Sequence, residues 1–122
     1  YLAIDKNLTR IVKLLVKKGA NVNYTDQIFT TPPLLQAIEK GYNEIAEILI
    51  ENGANINATD NTGNTPLMIA CQRGNSEIAK LLISKGAKIN IKNNFGDTAL
   101  MIAKKKNHTE IIKILKAAGA RE

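Results

Sequence analysis

Side chains that could carry covalent or acid–base chemistry are scarce in this sequence. It holds one cysteine, Cys71, and one histidine, His108. A nucleophilic site needs the nucleophile, a base within hydrogen-bond reach and a third group that orients the base. One thiol, one imidazole and no fixed cluster of acids do not assemble that set. A single cysteine also builds no disulfide framework and no cysteine-rich metal site within one chain. At an apolar position it reads as a small hydrophobe. His108 stands directly before a predicted helix, where capping is the plainer role. Asp60 and Asp97 fall at or near turns, where carboxylates commonly close Asx-type bonds. No glycine-rich phosphate cradle is present. The expectation is a protein that is not an enzyme and takes no cofactor and no metal.

The other chemistry on offer is charge. The formal net charge is +6, but it is unevenly spread. Residues 1–25 carry Asp5 against five bases, and residues 26–59 carry Asp26, Glu39, Glu44, Glu47 and Glu51 against Lys40 alone. From residue 60 onward bases lead again. An acidic band between basic ends makes a poor track for a phosphate backbone. Solvated helix faces explain most of these charges more simply. Lys104-Lys105-Lys106 has the composition of a nucleic-acid or localisation patch, but no basic stretch is interleaved with the aromatics that single-strand binders use. Asn7, Asn23, Asn57 and Asn107 open glycosylation sequons. In a chain rich in Asn and Thr such matches arise by chance, and Asn23, Asn57 and Asn90 share a position that favours a structural turn role. No apolar run approaches the roughly 18 residues of a membrane helix. No signal peptide is visible, yet Tyr1 begins in mid-pattern, so the true N-terminus is expected upstream. With one free cysteine and no signal, an intracellular location is expected.

The elements that must position these side chains follow from internal repetition. Gly53-Ala54, Gly86-Ala87 and Gly119-Ala120 recur at steps of 33, as do Leu34, Leu67 and Leu100, and Ala37, Ala70 and Ala103. Gly19-Ala20 fits a fourth unit if one residue is added between Asp26 and Leu34. The units run 1–25 (partial), 26–59, 60–92 and 93–122, within a single domain over 1–122.

Each unit has the same grammar. In the third, Thr65 is placed to cap free amides and Pro66 stands at the first helical position, where its missing N–H costs nothing. Leu67, Ala70 and Cys71 share one face at i, i+3, i+4 spacing. Gly74-Asn75 breaks the helix, and Asn75 is placed to cap the next. Ile78, Ala79, Leu81 and Leu82 form the second helix's stripe, and Gly86 ends it. Asp60-Asn61-Thr62-Gly63 reads as a tight turn. One such helix pair cannot bury its apolar face alone, so neighbours must stack.

With Thr65-Pro66-Leu67-Met68-Ile69-Ala70, Thr98-Ala99-Leu100-Met101-Ile102-Ala103 and Pro32-Pro33-Leu34-Leu35-Gln36-Ala37 in phase, the chain resembles the ankyrin-repeat family over essentially its whole length. The resemblance implies an all-α solenoid of helix-turn-helix units with projecting β-hairpin-like fingers. Two departures stand out. The family's signature His is replaced by Leu35, Met68 and Met101. The finger at Asp26–Thr31 has one extra residue and lacks the usual Gly, so a different tip shape is expected. At the far end, Lys104 takes the position of Ile4, Ile38 and Cys71, and Lys116 that of Val16, Ile50 and Ile83. These apolar-to-Lys changes read as a C-terminal cap.

The resemblance also implies where a partner would bind. Finger tips and the exposed side of the first helix line the family's concave groove. By alignment these are Thr25, Gln27, Ile28, Phe29, Glu39 and Lys40 in the second unit. In the third they are Thr59, Asn61, Thr62, Asn64, Gln72 and Arg73, and in the fourth Lys92, Asn94, Phe95, Asp97, Lys105 and Lys106. Arg73 is the expected central contact. Phe95 and Phe29 read equally as exposed anchors or as rings stacked between fingers, with Phe29 the better anchor. The leading functional reading is a monomeric protein-interaction scaffold gripping another protein, without membrane insertion. The alternatives are nucleic-acid association through Lys92, Lys105 and Lys106, which is disfavoured, and a non-catalytic spacer in a larger protein.

Overall fold

The computed structural model describes residues 32–121. The partial unit 1–25 and the irregular finger at 26–31 lie outside the described residues. Six helices occur within them: α1 Pro33–Glu39, α2 Asn43–Glu51, α3 Pro66–Arg73, α4 Ser76–Ser84, α5 Ala99–Lys105 and α6 Thr109–Ala117. Each consecutive pair is a helical hairpin. The first helices of the pairs form one row, α1 against α3 against α5, and the second helices another, α2 against α4 against α6.

The starts of the first helices obey the expected chemistry. The hydroxyl of Thr65 accepts from the Met68 N–H at 3.2 Å, and that of Thr98 from the Met101 N–H at 3.3 Å. α1 has Pro32 in this position and no side-chain cap. Among the second helices, only α4 has one: Asn75 Oδ1 accepts from the Ile78 N–H. His108 occupies the equivalent position before α6, but its ring makes no cap bond. The ring instead lies over the backbone of Gly74, so close that a Cβ built there would stand 2.7 Å from Cε1. The capping role expected of its side chain is therefore corrected: His108 is a packing group between two units.

The core differs in width from the stripe that the spacing suggested. Pro66, Leu67, Met68, Ile69, Ala70 and Cys71 are all buried, a continuous run along α3. The cause is position: α3 is flanked by α1, α5 and its own partner α4, so nearly every direction meets protein. Full burial of each Leu, Ile or Met stabilises by roughly 1.5–3 kcal/mol, and neighbouring units supply much of the cover. Met101, at the equivalent position of the fourth unit, is covered less. Leu35 and Met68 are 0% and 1% exposed at the equivalent positions, whereas Met101 is 38% exposed. Lys104 is likewise exposed where Ile38 and Cys71 are fully buried.

The connectors form closed turns with no strand among the described residues. Asp60 N–H donates to the Asn64 carbonyl and Gly63 N–H to the Asp60 carbonyl, and Asn93, Gly96 and Asp97 repeat the pattern. Asp60 Oδ1 accepts from the backbone N–H of Thr62 and of Asn64, both at 2.9 Å. Burial opposes its charge, but these bonds, with those from the Thr62 and Asn64 side chains, prevail and lower its pKa below 3.8. In the next finger the amide of Asn93, not the carboxylate of Asp97, does this work, accepting from the N–H groups of Phe95 and Asp97. The Asx role expected of Asp97 belongs to Asn93.

The two fingers are also joined to each other. Asn94 N–H donates to the Thr62 carbonyl at 2.9 Å, Asn94 Nδ2 to the Asn61 carbonyl, and Asn93 Nδ2 to Asn64 Oδ1. Gly63 permits this approach: its φ is +81°, and a Cβ there would lie 2.8 Å from Asn94 Oδ1. A second seam uses the shared asparagines. Asn57 Oδ1 accepts from the Lys88 N–H and Asn90 Oδ1 from the Arg121 N–H, each reaching the following unit.

Candidate partner-binding face

Six of the candidate contact residues stand at the C-terminal ends of the first helices of the pairs. Glu39 and Lys40 close α1, Gln72 and Arg73 close α3, and Lys105 and Lys106 close α5. Their positions follow from the buried columns. With Leu34, Leu67 and Leu100 fixed in the core, residues five and six places later leave the packed face as each helix ends.

Two neighbouring depressions lie at these helix ends. One, of about 450 Å³, is lined by Gln72, Arg73, Asp97, Ile102, Lys105 and Lys106. The other, of about 440 Å³, includes Glu39, Lys40, Arg73, Gly74 and Asn75. Arg73 lines both. Its guanidinium is paired with Glu39 of the preceding unit, yet both side chains remain about half exposed. Such a pair is worth at most about 1 kcal/mol to the fold. Lys105 reaches forward to its own finger and contacts both Asp97 oxygens at 3.1 Å.

The finger residues divide into two kinds. Phe95 is 74% exposed at the tip of its turn, so the exposed reading of this ring holds. Thr59, Asn61, Lys92 and Asn94 are also exposed. Thr62, Asn64 and Asn94 have polar groups engaged within and between the fingers. Thr25, Gln27, Ile28 and Phe29 lie outside the described residues. Two residues that organise this face were not among the expected contacts. Asn93 holds the Phe95 turn, and its alignment with Asp60 was the available signal. Asn43 accepts from Asn75 Nδ2 at 2.7 Å beneath the Arg73 side of the groove.

No group of three or more His, Cys, Asp or Glu side chains suited to a metal occurs among the described residues. No described helix is long and apolar enough to cross a membrane. Cys71 is fully buried in α3, and burial pushes its thiol up to about 12. A neutral, enclosed thiol is a poor nucleophile.

The family model for ankyrin repeats (3 copies) matches residues 1–93, and that for ankyrin repeats (many copies) matches residues 77–115. No curated protein matches the sequence.

Proposed function

The chain belongs to the ankyrin-repeat family, whose members generally serve protein–protein interaction and are generally non-catalytic, and on that premise we propose that it grips a partner protein in the groove formed by its finger tips and inner-helix ends. The observation that carries the reading is the position of Arg73. It borders both depressions, its guanidinium is half exposed, and its intramolecular partner Glu39 is equally open to solvent. Interface hot spots favour Arg in such central positions. The neighbouring backbone is held by helix packing and inter-finger bonds, so little ordering entropy is lost on association.

Affinity capture from the source organism's lysate, after nuclease treatment, tests this with the parent chain beside Gln72→Ala/Arg73→Ala. A protein retained by the parent and lost by the variant is the expected result. The melting temperature should change little, because the deleted pair is exposed. Equal retention by the variant, or a parallel loss of folding, would overturn the assignment.

A further inference from the structure

The charges on this face are not balanced. Its carboxylates are engaged: Glu39 by Arg73, Asp97 by Lys105, and Asp60 by its own turn. Lys40, Lys92 and Lys106 are exposed, with no carboxylate in ion-pair contact among the described residues. Lys40 and Lys106 border the two depressions and Lys92 stands one residue before the Asn93 turn; ammonium groups so placed favour an anionic occupant and raise its encounter rate.

The exposed large apolar side chains belong to the unit that carries Lys106. Phe95 and Met101 are the exposed large hydrophobic side chains among the described residues, and both belong to the last unit. The Phe95 turn is fixed by Asn93 below it and tied through Asn94 to the preceding finger. A ring on so firm a support gives up little freedom when covered. Asp97, two residues on, joins Lys105 and Lys106 in lining the larger depression.

Resting on the protein-binding reading above, we propose that the partner presents an acidic peptide segment with one large apolar side chain, its carboxylates meeting Lys92 and Lys106 and its apolar group covering Phe95. A nucleic acid fits less well. The cations without an ion-pair partner are few and separated along the sequence, which suits a peptide's spaced acids better than an unbroken run of phosphates.

The test is fluorescence anisotropy at low salt with labelled synthetic peptides. The series varies Asp/Glu content and the presence of a single Phe or Leu, beside a Lys-rich peptide and a single-stranded oligonucleotide. Acid-rich peptides with the apolar residue should bind. Lys92→Glu/Lys106→Glu should weaken them about tenfold or more, and added salt should act in the same direction. Phe95→Ser should weaken the apolar-bearing peptide about fivefold and leave its acid-only counterpart unchanged. All three positions are exposed, so circular dichroism and melting should show every variant folded. Tighter binding of the oligonucleotide or the Lys-rich peptide, or indifference to both sets of substitutions, would overturn the proposal. If no acidic peptide binds while a Gln72/Arg73-dependent protein is captured, the acidic specificity falls and the groove reading stands. If neither occurs, both fall.

Discussion

Substituting Gly74 by alanine probes the junction behind Arg73 directly. Gly74 has φ +69°, in the left-handed region, and the ring of His108 lies over it. An added Cβ meets two costs. The left-handed backbone costs a non-glycine residue about 1–2 kcal/mol. The Cβ would also lie 2.7 Å from His108 Cε1 and 3.1 Å from both ring nitrogens, so the ring must move. Overpacking of this kind costs roughly 1–3 kcal/mol. Gly74→Ala should therefore destabilise by about 2–5 kcal/mol. Gly86→Ala is the internal control: φ is +90° and nothing lies within 4 Å of its Cβ, so only the backbone cost applies. Denaturant unfolding followed by far-UV circular dichroism measures both, with unchanged slopes as the check that the transition is comparable. Adding His108→Ala to Gly74→Ala should recover the steric part alone, giving a coupling of about 1–3 kcal/mol in the double-mutant cycle. Equal losses for Gly74→Ala and Gly86→Ala, or strict additivity with His108→Ala, would refute the packing role assigned to His108.

Asp60 and Cys71 carry the remaining expectations. Asp60→Ala strips two backbone N–H groups of their acceptor and should cost about 1–3 kcal/mol, while Asp60→Asn should be tolerated, since Asn93 does the same work in the next finger. The lowered pKa of Asp60 means its stabilisation is present above 3.8 and lost as pH falls through the folded value; urea titrations across that range should show a smaller acid loss in Asp60→Asn. Cys71, raised from 9.0 to about 12, contributes stability that is present below pH 9.0 and lost as pH rises toward about 12, because only the unfolded thiol ionises in that window. At neutral pH a disulfide reagent should label it only as fast as the protein opens, and rapid labelling of the folded chain would contradict its burial.

Much of the fold was legible in the residues because each signal is local or periodic. Thr65, Thr98 and Asn75 bond to amides three residues on, so short spacing is enough to read them. The contact face was legible only as positions. Which of those positions remain open depends on groups about a unit away in sequence, as with Arg73 and Glu39 or Asn94 and Asn61. The turn role of Asn93 shows only when the two fingers are laid side by side.

The sequence by itself determined the repeat length, the helix starts and the buried columns, since a repeated helix pair has one apolar face and must stack. Tertiary structure decided how wide each buried face is, because cover comes from neighbours: Met68 is enclosed between units while Met101, of the same type at the same position, is open. It also decided that His108 packs on Gly74 rather than capping α6, and that Phe95 stands clear of the adjacent finger. These outcomes depend on distances between units, and residue spacing along one chain does not contain them.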